Sequence, residues 1–375
     1  MSHRSNILWL FTLLLTVLVP SLTVAAEESV IKVAGWDVYR DPEHPNKTIG
    51  FRSFEERTGV KIEFAPLSTL DEILTIAESE EHVDVYLISN EGIEILWNMG
   101  LVNPIDLSRV PHYNNLHDSL QYSEWSQFDS KVYAVPWAWG PTGLMYDQDL
   151  VTAPTSWNAL WNPEYKGKVS MWDDISMVWT TALSLGYSNV YNLTRPQLKQ
   201  VKDKLLEFNR QAATYYAGGG DEIKLALQGE VVAFNGWYDP SAQLKAKGKN
   251  FKMIIPKEGA VGMFDSYMIA SDRGHSGYEK EPTGKDGVHR HEVIAHQYIN
   301  HQISPEIQKE MAEITGLSPA NIETLPLLSR EQIIELHLNE PDYFDRMLLW
   351  DHMPRKNLYL QLLDEVRADW KAQAQ

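Results

Sequence analysis

The chain has 375 residues, with 51 acidic against 33 basic side chains and a formal net charge of −18. This charge disfavours nucleic acid as a partner and favours cations, which concentrate near an acidic surface. The absence of cysteine excludes disulfides, thiol nucleophiles and a cysteine-linked lipid anchor. The 13 tryptophans and 17 tyrosines either fill a core or line a pocket whose flat faces hold apolar stems and cations.

Residues 1–26 have the layout of a cleavable export signal. His3 and Arg4 give a positively charged start, residues 7–19 are almost wholly apolar, and residues 24–26 fit a signal-peptidase site. The apolar run is shorter than the ~20 residues that a membrane span needs, which favours cleavage over an N-terminal anchor helix. We therefore predict a periplasmic protein whose exported chain does not insert into a membrane.

The chain up to residue 100 alternates strands with helices. Hydrophobic patterning predicts strands at 30–34, 60–64 and 82–89, and helices at 49–58, 70–79 and 91–99. This alternation predicts a mostly parallel sheet with helices on both of its faces.

A second set of elements follows from residue 131. The predicted strands are 131–136, 142–146, 168–171, 230–234, 251–255 and 266–270, with a turn at 137–141. Helices are predicted at 176–185, 194–211 and 221–228, an exposed loop at 272–287, and almost continuous helix from residue 291. The exported chain is thus an α/β protein long enough for two domains.

Several segments, taken in order, carry a family resemblance. They read GWDVY (35–39), FEERTGVKI (54–62), VDVY (83–86), VPWAWG (135–140), TSWNALWNPEYKG (155–167), PKEG (256–259) and DS (265–266). With these segments the chain resembles the periplasmic substrate-binding components of spermidine/putrescine ABC transporters over almost all of its exported length.

The resemblance implies the two-lobed periplasmic binding protein fold of type II, in which hinge strands join two α/β lobes around a central ligand cleft. It implies a lobe one formed by residues 27–139 and 264–317, and a lobe two formed by residues 140–263 and 318–375. A cleft at the carboxyl ends of strands is also where open α/β sheets bind ligands.

In this family, aromatic faces hold the methylene chain of a polyamine and carboxylates hold its ammonium ends. The resemblance therefore implies ligand-binding roles for the positions that match: Trp36, Tyr39, Ser89, Asp174, Phe234 in place of a tryptophan, and the central carboxylate Asp265. An acidic side chain that enters a buried strand needs a partner, which supports Asp265.

Other positions depart from the family's pattern. Glu91 stands where the family has a tyrosine, and Met177 where it has a glutamate. Met263 replaces a pocket tryptophan, Leu317 replaces a tyrosine, and Asp351 aligns loosely with a glutamine. Because carboxylates are both lost and gained, we expect Glu91 and Asp351 to adjust which amine binds.

Some roles stay open in the sequence. Either Asp173 or Asp174 caps the helix that follows while the other faces the cleft. The remaining aromatic candidates are as compatible with core packing as with a pocket lining; they are Trp137, Trp139, Trp237 and Tyr238.

Enzymatic and metal-binding functions are less well supported. The sequence contains no Gly-x-Ser-x-Gly elbow, no Walker loop and no His-Glu-x-x-His motif, so we predict no catalytic residues and no cofactor. Histidines recur at positions 289, 291, 296 and 301, but their charged neighbours favour a solvated surface, and no metal site is predicted.

Two further ligands are alternatives within the same fold. Adjacent Tyr215 and Tyr216 could supply phenolate oxygens to ferric iron, although the iron-binding relatives carry their pair after the following strand. The glycines at 218–220 could hold an anion before a helix, but Asp221 and Glu222 would repel it.

The sequence therefore predicts a monomeric, non-enzymatic periplasmic receptor that captures a polyamine or related cationic amine. It would deliver this ligand to an inner-membrane ABC permease. The alternatives are the same fold with ferric iron or another small solute, and a polyamine sensor instead of a transport component.

Overall fold

A computed structural model describes residues 29–79, 82–217, 220–237, 240–271, 289–340, 343–351 and 353–373. The predicted signal peptide, the predicted loop at 272–287 and Tyr238 lie outside these ranges. The strands are β1 (Val30–Trp36), β2 (Lys61–Leu67), β3 (Val85–Ser89), β4 (Val102–Asn103), β5 (Gln127–Phe128), β6 (Lys131–Val132), β7 (Val135–Pro141), β8 (Gly143–Asp147), β9 (Val169–Trp172), β10 (Ala212–Tyr216), β11 (Ala233–Gly236), β12 (Phe251–Ile254), β13 (Ala260–Ala270), β14 (Ser318–Pro319) and β15 (Met347–Leu349).

The α-helices lie close to their predicted positions in most of the chain. They are α1 (Phe51–Thr58), α2 (Leu70–Glu78), α3 (Asn90–Asn98), α4 (Ser176–Ser184), α5 (Arg195–Asn209), α6 (Asp221–Gln228), α7 (Ser241–Ala246), α8 (Arg290–Gln302), α9 (Pro305–Thr315), α10 (Arg330–Glu335) and α11 (Lys356–Gln373). Within the described ranges, every helix is too short or too polar to cross a bilayer.

The larger sheet has the strand order β14-β7-β13-β3-β1-β2, with β4 and β15 also paired to β13. Its β2, β1 and β3 are parallel, whereas β13 runs antiparallel to both β3 and β7. The prediction of a mostly parallel sheet is therefore confirmed for β1, β2 and β3, the strands from which it was made, but it does not hold for β13 and β7, which join them from later in the chain. The physical reason is that β7 leads out to the smaller sheet and β13 returns from it, so these neighbours run in opposite directions.

The smaller sheet has the order β10-β9-β11-β8-β12, with β9, β10 and β11 parallel and β8 and β12 antiparallel to their neighbours. The turn predicted at 137–141 is wrong, because these residues belong to the buried strand β7. Gly140 and Pro141 gave the turn signal, yet they only close the strand before β8 begins.

A separate apolar core lies against each sheet. Alternate side chains of a strand point to opposite faces, so Val169, Met171 and Ala233 pack in one cluster of the smaller sheet and Phe234 in another. Helix α11 packs on α5 and contributes Tyr359 to the first of these clusters.

The C-terminal part of the chain contacts both sheets. Ser318 and Pro319 pair with Trp139 and Ala138 in the larger sheet. β15 pairs with the start of β13, and the side chains from Met353 onward join the core of the smaller sheet. The chain therefore moves from one sheet to the other near β15.

Close packing of β1 on β3 brings the carboxyl ends of both strands together. Gly35 lies opposite Leu87, and a Cβ at residue 35 would be only 2.6 Å from the Leu87 Cβ. A larger residue would push the strands apart. Glycine here therefore keeps Trp36 and Ser89 at one edge of the sheet.

Candidate functional site

Asp265 lies in the middle of β13 and holds two aromatic donors from the end of β1. The Trp36 Nε1–H donates to its Oδ1 at 3.2 Å, and the Tyr39 hydroxyl donates a short hydrogen bond to its Oδ2. Asp265 is 3% exposed and Tyr39 is fully buried. We call Trp36, Tyr39 and Asp265 the Asp265 side of the site.

The backbone around Asp265 is shaped to aim this carboxylate. The pairing of β13 with β7 shifts between Asp265, opposite Ala138, and Ser266, opposite Pro136. Such a bulge bends a strand and redirects a side chain. Trp137 lies at this bulge, between Pro136 and Ala138. Its ring centroid is 4.6 Å from that of Tyr39, so it packs against the Tyr39 ring and helps to fix its position.

Asp265 is charged at an energetic cost in the ligand-free chain. Burial raises the pKa of Asp265 to about 7, although the hydrogen bonds from Tyr39 and Trp36 act in the opposite direction. Both partners are neutral, so neither supplies a countercharge. A cation at this carboxylate would relieve the penalty of burial.

Asp174 follows β9 and forms the second carboxylate of the site. Its Oδ1 accepts from the Ser176 backbone N–H at 2.8 Å and from the Ser176 hydroxyl, and its Oδ2 accepts from Trp237 Nε1 at 2.7 Å. Burial raises the pKa of Asp174 despite these donors. Asn235 of β11 fixes the arrangement, because its Nδ2 lies 3.2 Å from the Ser176 hydroxyl.

This geometry corrects the division of roles between the two neighbouring aspartates. Asp174 both accepts at the start of α4 and binds Trp237. Asp173 forms an ion pair with Arg367 of α11 at 2.7 Å, so it is not the helix cap. Asp174 alone therefore accepts both from the backbone at the start of α4 and from the Trp237 indole.

Three tryptophans next to Asp174 form a continuous aromatic group. Trp237 stacks on Trp350 with ring centroids 5.4 Å apart, and Trp179 meets Trp350 edge-on at 4.9 Å. Trp237 and Trp350 pack against the cores of both sheets. We call Asp174, Trp179, Trp237 and Trp350 the Asp174 side of the site.

The larger sheet holds Trp350 by its backbone. Its N–H donates to Gly262 of β13 at 2.8 Å, and its carbonyl accepts from Asn90 Nδ2 at 2.5 Å. The ring of Trp350 therefore meets Trp237 while its main chain is fixed beside the Asp265 side.

Glu91 connects the two sides electrostatically. It lies in the first turn of α3, directly after Ser89 and Asn90. Burial raises the pKa of Glu91 to about 7; Lys356 lowers it, and the charges of Asp174 and Asp265 raise it further. Glu91 is thus repelled by the carboxylates of both sides of the site.

Ser89 and Asp351 lie at the margins of this region. Ser89 pairs with Asp265 in the β3–β13 register, and among the described residues its buried hydroxyl has no hydrogen-bond partner. Asp351 is exposed and close enough to Tyr191 to raise the pKa of that phenol, as does Glu91.

Several other residues considered in the sequence analysis lie in the cores and not on the Asp265 or Asp174 side of the site. Phe234 is fully buried in the core of the smaller sheet, with its ring 5.8 Å from Phe251. Trp137 and Trp139 are buried in the larger core and donate to the carbonyls of Gln302 and Pro319. The apolar residues that replace polar or aromatic ones of the family are also buried in the cores; they are Met177, Met263 and Leu317.

The sequence left Trp237 undecided and did not single out Trp179, Trp350 or Tyr191. These residues come from three separate parts of the chain, around residues 179–191, 237 and 350, and only the fold brings them together. The high tryptophan content and the position of Trp350 beside Asp351 were the available signals.

The alternative ligands find little support in the geometry. Tyr215 and Tyr216 are consecutive on β10 and point to opposite faces; the first phenol donates to Asn209 Oδ1 and the second to the Asn235 carbonyl. They therefore cannot bind one ferric ion together. At the start of α6, the Gly220 N–H lies 3.1 Å from the Glu222 carboxylate, which occupies the place of an anion.

Known proteins resemble the chain over most of its length. The family model described as bacterial extracellular solute-binding protein matches residues 51–326. The spermidine/putrescine-binding periplasmic protein of Salmonella typhimurium is 25% identical over 284 residues, which are 74% of this chain and 75% of that protein. The Escherichia coli putrescine-binding periplasmic protein PotF is 25% identical over 330 residues, 82% of each chain.

A solved structure agrees with this similarity. The spermidine/putrescine ABC transporter substrate-binding protein PotD of Streptococcus pneumoniae superposes with a TM-score of 0.74 at 21% identity, covering 92% of this chain and 100% of that one. The predicted two-lobed periplasmic binding protein fold and the resemblance to polyamine-binding proteins are confirmed. The chain is therefore a binding protein and not an enzyme, and it belongs to the bacterial extracellular solute-binding protein family.

Proposed function

We propose that the protein is a periplasmic receptor for a polyamine or related cationic amine. The observation that carries the proposal is the group of three carboxylates, Asp265, Asp174 and Glu91, that burial makes hard to ionise. A buried carboxylate without a countercharge is destabilising, and an ammonium group supplies that countercharge. The names of the polyamine-binding relatives support the same class of ligand.

The aromatic groups fit the apolar part of such a ligand. Trp36 on one side and the stacked Trp237 and Trp350 on the other offer indole surfaces next to the carboxylates. Indole faces bind methylenes by apolar contact and ammonium groups by cation–π attraction. In this proposal Asp265 and Asp174 bind ammonium groups, the Ser89 hydroxyl accepts from the first of them, and Glu91 and Asp351 select among amines.

The division into lobes is also a proposal. The pairing of Ser318–Pro319 with β7, and the packing of residues from Met353 onward on the smaller sheet, support a C-terminal boundary near residue 350 in place of 318. Lobe one would then carry the Asp265 side and lobe two would carry Asp174 and Trp237. Closure of the two lobes on the amine would present the complex to an inner-membrane ABC permease.

A thermal-shift screen in the presence of a chelator tests the function. The panel contains putrescine, cadaverine, spermidine and agmatine, with succinate as an anionic comparison and ferric iron run separately without chelator. A ligand that binds the folded state raises the melting temperature by mass action. We expect one or more amines to raise it and succinate and iron to leave it unchanged.

Two variants make the screen specific. Asp265→Asn keeps the size of the side chain and removes its charge, so it should abolish the shift. Asp147→Asn is the matched control, since Asp147 is also buried, at 6% exposed. It lies at the end of β8 that is opposite the start of β11, whereas Trp237 follows the end of β11. Retained amine binding in Asp265→Asn, or a response to succinate or iron alone, would contradict the proposal.

A further inference from the structure

A second group of polar side chains lies at the opposite end of the larger sheet. Asp84 precedes β3, and its carboxylate receives His82 Nε2 at 2.9 Å and His291 Nδ1 at 3.1 Å on the same oxygen, Oδ1. One ligand atom from each of the three residues lies within 4.8 Å of the others. Since β3 rises about 3.3 Å per residue, this group lies roughly 16 Å along the strand from Ser89.

The carboxylate of Asp84 is held rigidly. Its Oδ2 accepts from the Lys32 backbone N–H of β1 at 2.7 Å, and its own backbone bonds to Lys32 and to Ala270 of β13 at 2.9 Å each. Asp84 is 1% exposed, whereas the side chains of His82 and His291 are 42% and 25% exposed. A fixed buried oxygen is therefore flanked by two imidazoles that solvent can reach.

This combination of donors has the chemistry of a metal site. Two imidazole nitrogens and one carboxylate oxygen are a common ligand set for Zn²⁺, in sites that leave a coordination position for water. The backbone N–H on Oδ2 provides the kind of outer hydrogen bond that orients a metal-binding carboxylate. The rings meet edge-on, with centroids 5.7 Å apart and planes at 88°, so both nitrogens reach one point without ring overlap.

We propose that His82, Asp84 and His291 bind a divalent transition-metal ion such as Zn²⁺, at a site separate from the amine cleft. The ion would take the place of the two His–Asp contacts and join the edge of β1 and β3 to the start of α8. This departs from the expectation that the chain has no metal site, because the sequence grouped His291 with other histidines and not with His82 and Asp84.

Two of those other histidines have structural roles. His296 accepts from the Asp106 backbone N–H at 2.9 Å and lies 2.7 Å from the Glu292 carbonyl. His301 lies 3.1 Å from the Gly50 carbonyl. Both ring nitrogens of His296 and the Nε2 of His301 are engaged in these contacts, and neither residue belongs to the His82–Asp84–His291 group.

Calorimetric titration of the chelator-stripped, amine-free protein with ZnCl₂ tests the proposal. We expect one zinc per chain at this site, with affinity reduced at least about tenfold in His82→Asn and in His291→Asn. His44→Asn is the matched control, because His44 makes a contact of 2.9 Å with Asp41 but, among the residues that the structure describes, belongs to no group of three possible metal ligands. Asp84 is left intact because its burial makes a substitution there a risk to folding.

Two readouts separate this site from the amine cleft. The two histidine variants should bind the amine as the native chain does, and zinc should raise the melting temperature of the native chain and of Asp265→Asn alike. If native protein binds no zinc when zinc is in excess, or if both histidine variants bind it as tightly as native protein, the proposed site does not exist. Failure of amine binding would leave this result unaffected.

Discussion

The two sides of the proposed amine site hold their carboxylates in different ways. Asp265 lies in the middle of a buried strand and takes hydrogen bonds from Trp36 and Tyr39, which lie at and just after the end of β1, beyond the intervening strand β3. Asp174 lies in the segment between β9 and α4, takes one bond from the backbone of Ser176, and is linked to Trp237. The first arrangement is fixed by sheet register, while the second depends on several elements meeting.

This difference assigns different tasks to the two sides. A register-fixed, 3% exposed carboxylate would give the proposed ammonium site a rigid geometry with little room for variation. The Asp174 side is partly exposed and joined to Trp350, whose backbone belongs to the larger sheet, so its geometry depends on how the lobes meet. We expect the Asp265 side to provide affinity and the Asp174 side to determine which amine fits.

The largest expected effect is the difference between Asp265→Asn and Asp174→Asn. Loss of one partner from a buried charge pair costs about 2–5 kcal/mol, so Asp265→Asn should weaken diamine binding about 100-fold or more. Asp174→Asn should weaken it about tenfold, because solvent screens a partly exposed pair. Calorimetry with putrescine and with butylamine measures both.

The monoamine sharpens this comparison. Butylamine carries a single ammonium group, so it should respond strongly to Asp265→Asn and weakly to Asp174→Asn. If butylamine and putrescine respond equally to both substitutions, the two carboxylates do not bind opposite ends of the ligand.

The next effect is a dependence of amine binding on pH. The pKa of Asp265 is about 7, so lowering the pH from about 8 to about 6 protonates this carboxyl and should weaken binding about tenfold. Asp265→Asn should remove this contribution to the pH profile. A native affinity that does not change over this range would show that the charged carboxylate is not what the amine binds.

The stability of the ligand-free chain should change in the opposite sense. The pKa of Asp265 is higher in the folded chain than in the unfolded chain, so the folded state binds the proton more tightly. The stabilisation is complete below the unfolded value of about 4 and is lost as the pH rises through about 7. Urea unfolding of native chain and Asp265→Asn should therefore diverge across this window, with the native chain losing more stability.

The Asp265 side could be predicted from sequence, and most of the Asp174 side could not. Trp36 and Tyr39 stand together at the end of one strand and Asp265 lies in another, and the resemblance to the polyamine-binding family had already assigned all three to the ligand. Trp179, Trp237 and Trp350 are separated by more than a hundred residues from end to end, and each has the same local appearance as a core tryptophan. Phe234 shows the converse, since strand alternation turned its ring away from the cleft.

A smaller effect is expected from the stacked tryptophans. Cation–π and apolar contacts of this kind contribute about 0.5–2 kcal/mol, so Trp237→Leu and Trp350→Leu should each weaken amine binding several-fold. Trp161→Leu is the matched control, because Trp161 packs on Phe208 and Lys204 beside α5, outside this group. Equal losses in all three variants would point to general destabilisation instead of contact with the ligand.

The smallest effect concerns an exposed ion pair between α7 and α10, which the proposed boundary near residue 350 would place on different lobes. Lys245 of α7 binds Glu331 of α10, and α10 is joined to α9 by the Gln332–Glu313 hydrogen bond of 2.8 Å. Both charges are about two-thirds exposed and solvent screens such a pair, so Lys245→Gln should weaken amine binding no more than about threefold. Lys199→Gln, which breaks the Lys199–Asp203 pair within α5, should have no effect on binding. A loss in Lys245→Gln that disappears at high salt would show that this pair favours the closed arrangement, while identical affinities in both variants would leave closure to Trp350 and the carboxylates.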